Sequence, residues 1–171
     1  DPVYPVKKSL EIACNMFYAA YQSQVSKLVW LSSSTGYPVL ESEILHENDM
    51  FDGNPPDPWH PVGWMTRYLE KQCETYSKKL PNPIDIIVLR PTMVYGEFDN
   101  FSFDQGNFIT ALIRRISERD NPIEVWGDGT QTRDLIHASD VSLIALKCIS
   151  TLSGYHVVNI GEGESYSINH I

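Results

Sequence analysis

Two short apolar runs constrain this chain most. Leu28-Val29-Trp30-Leu31 and Ile84-Asp85-Ile86-Ile87-Val88-Leu89 are each too short for a helix, and each follows a helix-like segment. Such a run fits a strand buried on both faces, the kind found in a parallel sheet covered by helices. From Ser9 to Tyr21, Leu10, Ala13, Cys14, Phe17 and Tyr21 recur at helical spacing, and Ile12, Met16, Ala19 and Ala20 form a second stripe. A helix so apolar all round is expected to be buried on two sides. Val62, Met65, Leu69, Cys73, Tyr76 and Leu80 repeat the helical period until Pro81 and Pro83 stop it. Residues 38–61 form a proline-rich irregular loop that includes Asn54-Pro55-Pro56-Asp57-Pro58. Loops of that length in compact domains are usually functional.

The rest of the chain alternates in the same way. Arg90-Pro91-Thr92 closes the second strand and Val94-Tyr95-Gly96 reads as a turn. A helix is predicted from about Asn107 to Glu118, with Phe108, Ile109, Leu112, Ile113 and Ile116 inward. A short strand over Ile123–Trp126, a glycine loop at Gly127–Thr130 and a short apolar stretch at Leu135-Ile136 follow. Asp140 reads as the N-cap of a helix whose face is Val141, Ile144, Ala145 and Cys148. Val157–Ile160 is the last predicted strand, and Ser167 opens a further helix. Alternating strands and helices make an α/β fold with a largely parallel sheet. Only two predicted strands are long and fully apolar, and a two-stranded parallel sheet leaves its faces and edges uncovered. The chain is therefore expected to be an interior piece of a larger fold.

Charge and cysteine usage narrow the function. A net charge of −9 gives no general attraction to nucleic acid or an anionic membrane. No apolar run approaches the ~20 residues that span a bilayer, and Asp-Pro-Val-Tyr-Pro does not read as a secretory leader. Cys14, Cys73 and Cys148 are far apart and odd in number, which suits buried thiols in a reducing, cytoplasmic setting. The five histidines show no metal-ligand spacing, so no metal site is expected.

Four motifs, in order, resemble the extended short-chain dehydrogenase/reductase family of nucleotide-sugar epimerases, dehydratases and reductases, GDP-fucose-synthase-like members in particular. They are Leu28–Pro38 with its Ser32-Ser33-Ser34-Thr35 turn, Leu89-Arg90-Pro91-Thr92-Met93-Val94-Tyr95-Gly96, Val125–Asp134, and Val158-Asn159-Ile160-Gly161. The resemblance implies part of a Rossmann-like parallel sheet plus part of a smaller C-terminal substrate-binding lobe. Residues 1–96 would belong to the NAD(P)-binding domain and 97–171 mainly to the lobe. It implies NAD(P)-dependent chemistry on a nucleotide-activated sugar, with catalytic hydroxyls at Ser33 and Thr35. Pro91 and Thr92 would face the cofactor, and Met93, Asn107, Trp126 and Arg133 the substrate. Ser33 would hydrogen-bond the sugar at its reacting carbon; alternatively the serine turn only satisfies its own backbone. The planar fork of Arg133 suits a diphosphate; a salt bridge with Asp128 or Asp134 is the plainer use. Asn107 opens a helix, where free N–H groups favour anions, or is an ordinary helix-start residue. Trp126 reads more readily as core than as a base-stacking platform. The resemblance also implies a homodimer through helices 9–21 and 62–80.

Two features depart from the family pattern. The glycine-rich dinucleotide fingerprint is absent from this sequence, so no NAD or NADP is expected on the 171-residue chain alone. The catalytic Tyr-x-x-x-Lys is also missing. With Glu70 as the glutamate that follows the lysine by four residues, Thr66 takes the lysine position and Val62 the tyrosine position. Tyr37, in the serine turn, is the reserve proton donor. The alternative function is thus an impaired relative that binds a nucleotide sugar or a partner subunit without turnover. A stand-alone binding module without cofactor is a third reading, and it leaves the sheet half-built.

Overall fold

The computed structural model describes residues 3–40, 42, 44–102, 106–119, 122–125 and 127–171. In chain order the elements are α1 (Val3–Gln22), β1 (Lys27–Leu31), α2 (His60–Lys78), β2 (Asp85–Pro91), β3 (Met93–Tyr95), α3 (Phe108–Ser117), β4 (Thr132–Arg133), β5 (Leu135–His137), α4 (Ala138–Thr151), β6 (Tyr155–Ile160) and β7 (Tyr166–Ser167). Short 3-10 turns stand at Ser34–Gly36, Glu47–Phe51 and Asp57–Trp59. Two compact units result, one comprising Asp1–Pro91 with Leu143–Ile160, the other Thr92–Ser142 with Gly161–Ile171.

The first unit is built on a three-stranded parallel sheet in the order β1-β2-β6. Central β2 is buried from Ile86 to Arg90, as its apolar run requires. Strand alternation turns Leu28 and Trp30, Ile86 and Val88, and Tyr155 and Val157 to the face that carries α1 and α2. There they meet Ala13, Phe17, Leu69 and Cys73; Phe17 lies edge-on to Trp30 at 4.9 Å between ring centroids. Lys27 Nζ donates to the carbonyls of Ile149 (2.8 Å) and Leu152 (2.5 Å) at the end of α4, groups that a helix leaves unpaired. Gly154, at φ +84°, takes the left-handed turn between α4 and β6, and its N–H bonds Asp85 Oδ1 at 2.7 Å.

The second unit pairs β3 with β5 in parallel and β4 with β7 antiparallel. Its helix α3 is capped by Asn107, whose Oδ1 accepts from Thr110 N.

Several expectations need correction. α1 begins at Val3 rather than Ser9, with Pro5 in its first turn, where a missing N–H costs nothing. Its second stripe is largely uncovered: Ile12 is 68% and Met16 36% exposed, and only Ala20 packs against the core. Val94 and Tyr95, read as part of a turn with Gly96, belong to a strand, β3, because the segment pairs with β5. Ile123–Val125 form no strand, and Trp126 lies outside the described residues. Asp140 sits inside the first turn of α4, not at its cap. Ser167 belongs to β7, paired with Thr132. On α3, Ile113 and Ile116 are exposed, while Thr110 is fully buried. The last predicted strand, Val157–Ile160, is present as β6 but starts two residues earlier, at Tyr155, and pairs with β2 as the third strand of the sheet.

Candidate functional site

β1 delivers the chain to the carboxyl edge of the sheet, where open α/β folds bind ligands. The serine turn follows at once. Ser33 is extended (φ −146°, ψ 147°) and caps the 3-10 turn. Its Oγ accepts from Thr35 N at 3.2 Å and from Thr35 Oγ1 at 3.0 Å, leaving the Ser33 O–H free to donate. Opposite, α2 presents Val62 and Thr66, one turn apart on one face. Ser33, Val62 and Thr66 line one cavity of about 220 Å³. Ser33 and the two positions assigned to the missing tyrosine and lysine are therefore brought together. Thr66 is only 5% exposed. Its methyl faces Gly36, where an added Cβ would lie 3.4 Å from it. Among the described residues, the Thr66 hydroxyl has no hydrogen-bond partner.

Tyr37 does not line that cavity. It is buried, donates to Asn159 Oδ1 at 2.7 Å and accepts from Arg90 Nη1 at 2.7 Å. Burial pushes its phenol above the ordinary tyrosine range, partly offset by the Arg90 charge. This hydroxyl is part of a closed polar network. Arg90 forms a two-pronged pair with Glu70, Nε to Oε1 at 2.9 Å and Nη2 to Oε2 at 2.6 Å, both side chains 2% exposed. Ser32 Oγ donates to Glu70 Oε1 at 2.5 Å, and Arg90 Nη1 also reaches the Glu47 carbonyl. Glu47 Oε1 accepts from Asn159 N, and Asn159 Nδ2 donates to the Leu45 carbonyl. All three strand ends are thereby tied to α2 and to the long loop. The motifs named Glu70 and Arg90 but not their pairing. A partial signal was available: a glutamate on the inner face of an amphipathic helix and an arginine closing an apolar strand each need a buried counter-charge, though neither position says which.

Arg67 makes a second clasp. Its Nε donates to the Gly36 carbonyl (2.8 Å) and its Nη1 to the Gly53 carbonyl (2.7 Å), with the guanidinium over the Phe51 and Trp64 rings. Burial lowers its pKa. Two glycines permit this packing. A Cβ on Gly36 would meet Met50 Sδ at 2.5 Å, and one on Gly63 would meet the Thr35 carbonyl at 2.8 Å. A larger cavity of about 330 Å³ in this unit is lined by Glu47, Lys71, Glu74 and Tyr155 among others. It holds none of the predicted site residues, and Lys71 is paired with Glu74 at 2.9 Å.

The other predicted residues follow β2. Pro91 ends β2 opposite Ile160. In the second unit, Asp134 ties two other segments, Thr92-Met93 and Glu162, to its own. Its Oδ1 accepts from Thr92 Oγ1 (3.4 Å) and Glu162 N (3.0 Å), and its carbonyl accepts from Met93 N (3.2 Å). Gly161 is required there, since a Cβ would come within 2.5 Å of Asp134 Oδ2. Next to Asp134, Arg133 Nη1 donates only to the neighbouring Thr132 carbonyl at 2.7 Å, and its side chain makes no ion pair among the described residues. Asn107 is occupied: its Oδ1 caps α3 and its Nδ2 donates to Val94 O and Asp99 Oδ2. Met93 lies in β3, opposite Leu135. No cluster of metal-ligating side chains occurs among the described residues.

The family model described as NAD dependent epimerase/dehydratase family matches residues 1–161. The chain belongs to that family. It is 29% identical over 169 residues to a putative GDP-L-fucose synthase 2 of Arabidopsis thaliana, covering 95% of this chain and 50% of that protein. The structure of MoeE5 in complex with UDP-glucose and NAD is 31% identical with a TM-score of 0.74, over 92% of this chain and 49% of that one. The UDP-N-acetylglucosamine 4-epimerase of Methanobrevibacter ruminantium, solved with UDP-N-acetylmuramic acid, shares the fold at a TM-score of 0.84 and 22% identity, over 99% and 52% of the two chains. The chain thus spans about half the length of the curated relatives it matches. Its mixed α/β architecture with a parallel sheet is that of these Rossmann-like neighbours. Among the described residues no helix is long and apolar enough to cross a membrane.

Proposed function

We propose that the whole protein acts on a nucleotide-activated sugar as an NAD(P)-dependent epimerase, dehydratase or reductase. The observation that carries this reading is the cavity where Ser33, at the carboxyl edge of the sheet, faces α2. The free Ser33 O–H is placed to hydrogen-bond a sugar oxygen. Arg133, without an ion-pair partner among the described residues, supplies a fork for the diphosphate. Residues 1–96 serve the cofactor-binding domain and 97–171 mainly the substrate lobe. The side chains at hand suit only the ribose end of NAD(P). Thr66 can offer one hydrogen bond there but no charge, and no glycine turn for the diphosphate is present in this sequence. Pro91 and Thr92 stand where the second strand hands the chain to the other unit, and Met93 and Asn107 follow on the substrate side.

The chemistry of α2 favours a second reading, a relative that binds the nucleotide sugar, or a partner subunit, without turnover. Valine has no proton to give, and threonine is uncharged at neutral pH. General acid–base catalysis is worth about 10²–10⁴ in rate, so losing the pair suppresses chemistry and spares binding. Tyr37 is a poor replacement, since its hydroxyl is committed to Arg90 and Asn159. Three free cysteines suit a cytoplasmic protein, and the exposed apolar residues of α1 and α2 suit a homodimer. Titrating the complete protein with UDP- and GDP-sugars while following NAD(P)H separates the readings. Binding with turnover supports the first and binding without turnover the second. Absence of binding overturns both.

A further inference from the structure

Arg67 breaks a rule of burial. It stands on α2 and is only 3% exposed, and arginine is almost never fully buried unless paired. Yet Arg67 makes no ion pair among the described residues, and its buried Nη2 has no hydrogen-bond partner. Local departures of this kind are expected at functional sites. What the guanidinium does hold is the segment that carries Ser33. Upstream, Ser32 N donates to the Leu89 carbonyl at 2.8 Å. Downstream, Ser33 Oγ caps the Ser34–Gly36 turn by accepting from Thr35 N, and the turn ends at the Gly36 carbonyl, held by Arg67 Nε at 2.8 Å. Arg67 Nη1 holds the Gly53 carbonyl of the long loop at 2.7 Å. One planar fork therefore ties the serine turn to α2 and to the loop, which a lysine ammonium, a single point of charge, does not reproduce.

We propose that Arg67 is a positioning residue for Ser33. Its clasp on the Gly36 carbonyl fixes the turn, and the turn's Thr35 N–H fixes the Ser33 hydroxyl. Arg67 itself lines neither cavity, so it acts on a ligand only through Ser33. The proposal rests on the function proposed above, in which Ser33 hydrogen-bonds a nucleotide sugar. A residue that works only through a second one loses its effect once the second is removed, so the two substitutions should not add. An Arg67 that served the fold alone would show no such coupling to Ser33.

The test is a double-variant cycle on the complete protein, read by calorimetry with UDP-glucose and GDP-glucose as probes. Ser33→Ala should weaken binding about threefold to tenfold, the worth of one hydrogen bond, and Arg67→Lys by up to the same factor. The double variant should bind within about twofold of Ser33→Ala alone, whereas independent effects would multiply. Should Arg67→Lys fail to fold, Arg67→Gln, which can donate to one of the two carbonyls, takes its place in the cycle. Failure of both to fold would mark Arg67 as structural and overturn the proposal. Unchanged affinity in the Arg67 variant, or losses that multiply in the double variant, would overturn it and leave the proposed function standing. Absence of probe binding by the parent, or indifference to Ser33→Ala, would overturn the role of Ser33 and the proposal with it.

Discussion

At the scale of single residues, the site is a matter of which side chains have partners. Ser33 and Thr66 have spare hydrogen-bonding capacity beside a cavity, whereas Tyr37 and Asn107 are used up by structure. The serine turn was legible because a short apolar strand followed by hydroxyl residues has few other uses. Asn107 was legible only as a helix start, and its bonds to Val94 and Asp99 show that to be its work here. The Glu70–Arg90 pair was not legible as a pair, since periodicity locates faces and not contacts across twenty residues. Glu70→Gln should destabilise the protein by about 3–5 kcal/mol in urea unfolding, because Arg90 is left buried without its counter-charge. A loss under about 1 kcal/mol would mean that the pair is solvated. Arg133→Ala in the complete protein should weaken nucleotide-sugar binding about ten- to a hundredfold without changing the unfolding midpoint. Unchanged affinity by calorimetry would remove Arg133 from the site.

At the scale of elements, apolar periodicity found α2, α3, β1 and β2 nearly whole, because burial in the core dictates those patterns. It failed where pairing rather than burial makes the element. β3, β4 and β7 are two- or three-residue strands that exist only through their partners. It also misjudged α1. Twin apolar stripes announce two covered faces, yet most of the second is exposed, Ile12 and Met16 included, and Tyr18 is exposed beside them. On α2, Trp64 (43% exposed) and Tyr68 (51%) are exposed as well. A homodimer that pairs these helices with their copies would bury both sets in a closed two-fold interface. Light scattering of the complete protein should give twice the monomer mass, and Ile12→Glu with Tyr68→Glu should halve it. A monomer at high micromolar concentration contradicts the pairing.

At the scale of the whole molecule, alternating segments gave the α/β class because each parallel strand needs a crossover. The division into two compact units was less visible, since the chain passes between them at Pro91, Ser142 and Ile160 without a linker-like stretch. This chain alone should not bind NAD measurably. The phosphate-cradling glycine turn is not in its sequence, and a micromolar dissociation constant by calorimetry would contradict that. The decisive measurement concerns α2 in the complete protein: turnover of nucleotide sugar by the parent, by Val62→Tyr, by Thr66→Lys and by the double variant. If Val62 and Thr66 occupy the tyrosine and lysine positions, as the second reading holds, the parent and both single variants should show little or no turnover while still binding nucleotide sugar, and the double variant should gain activity. Robust turnover by the unmodified protein would instead show that another group supplies the proton, and that Val62 and Thr66 do not occupy the positions assigned to them.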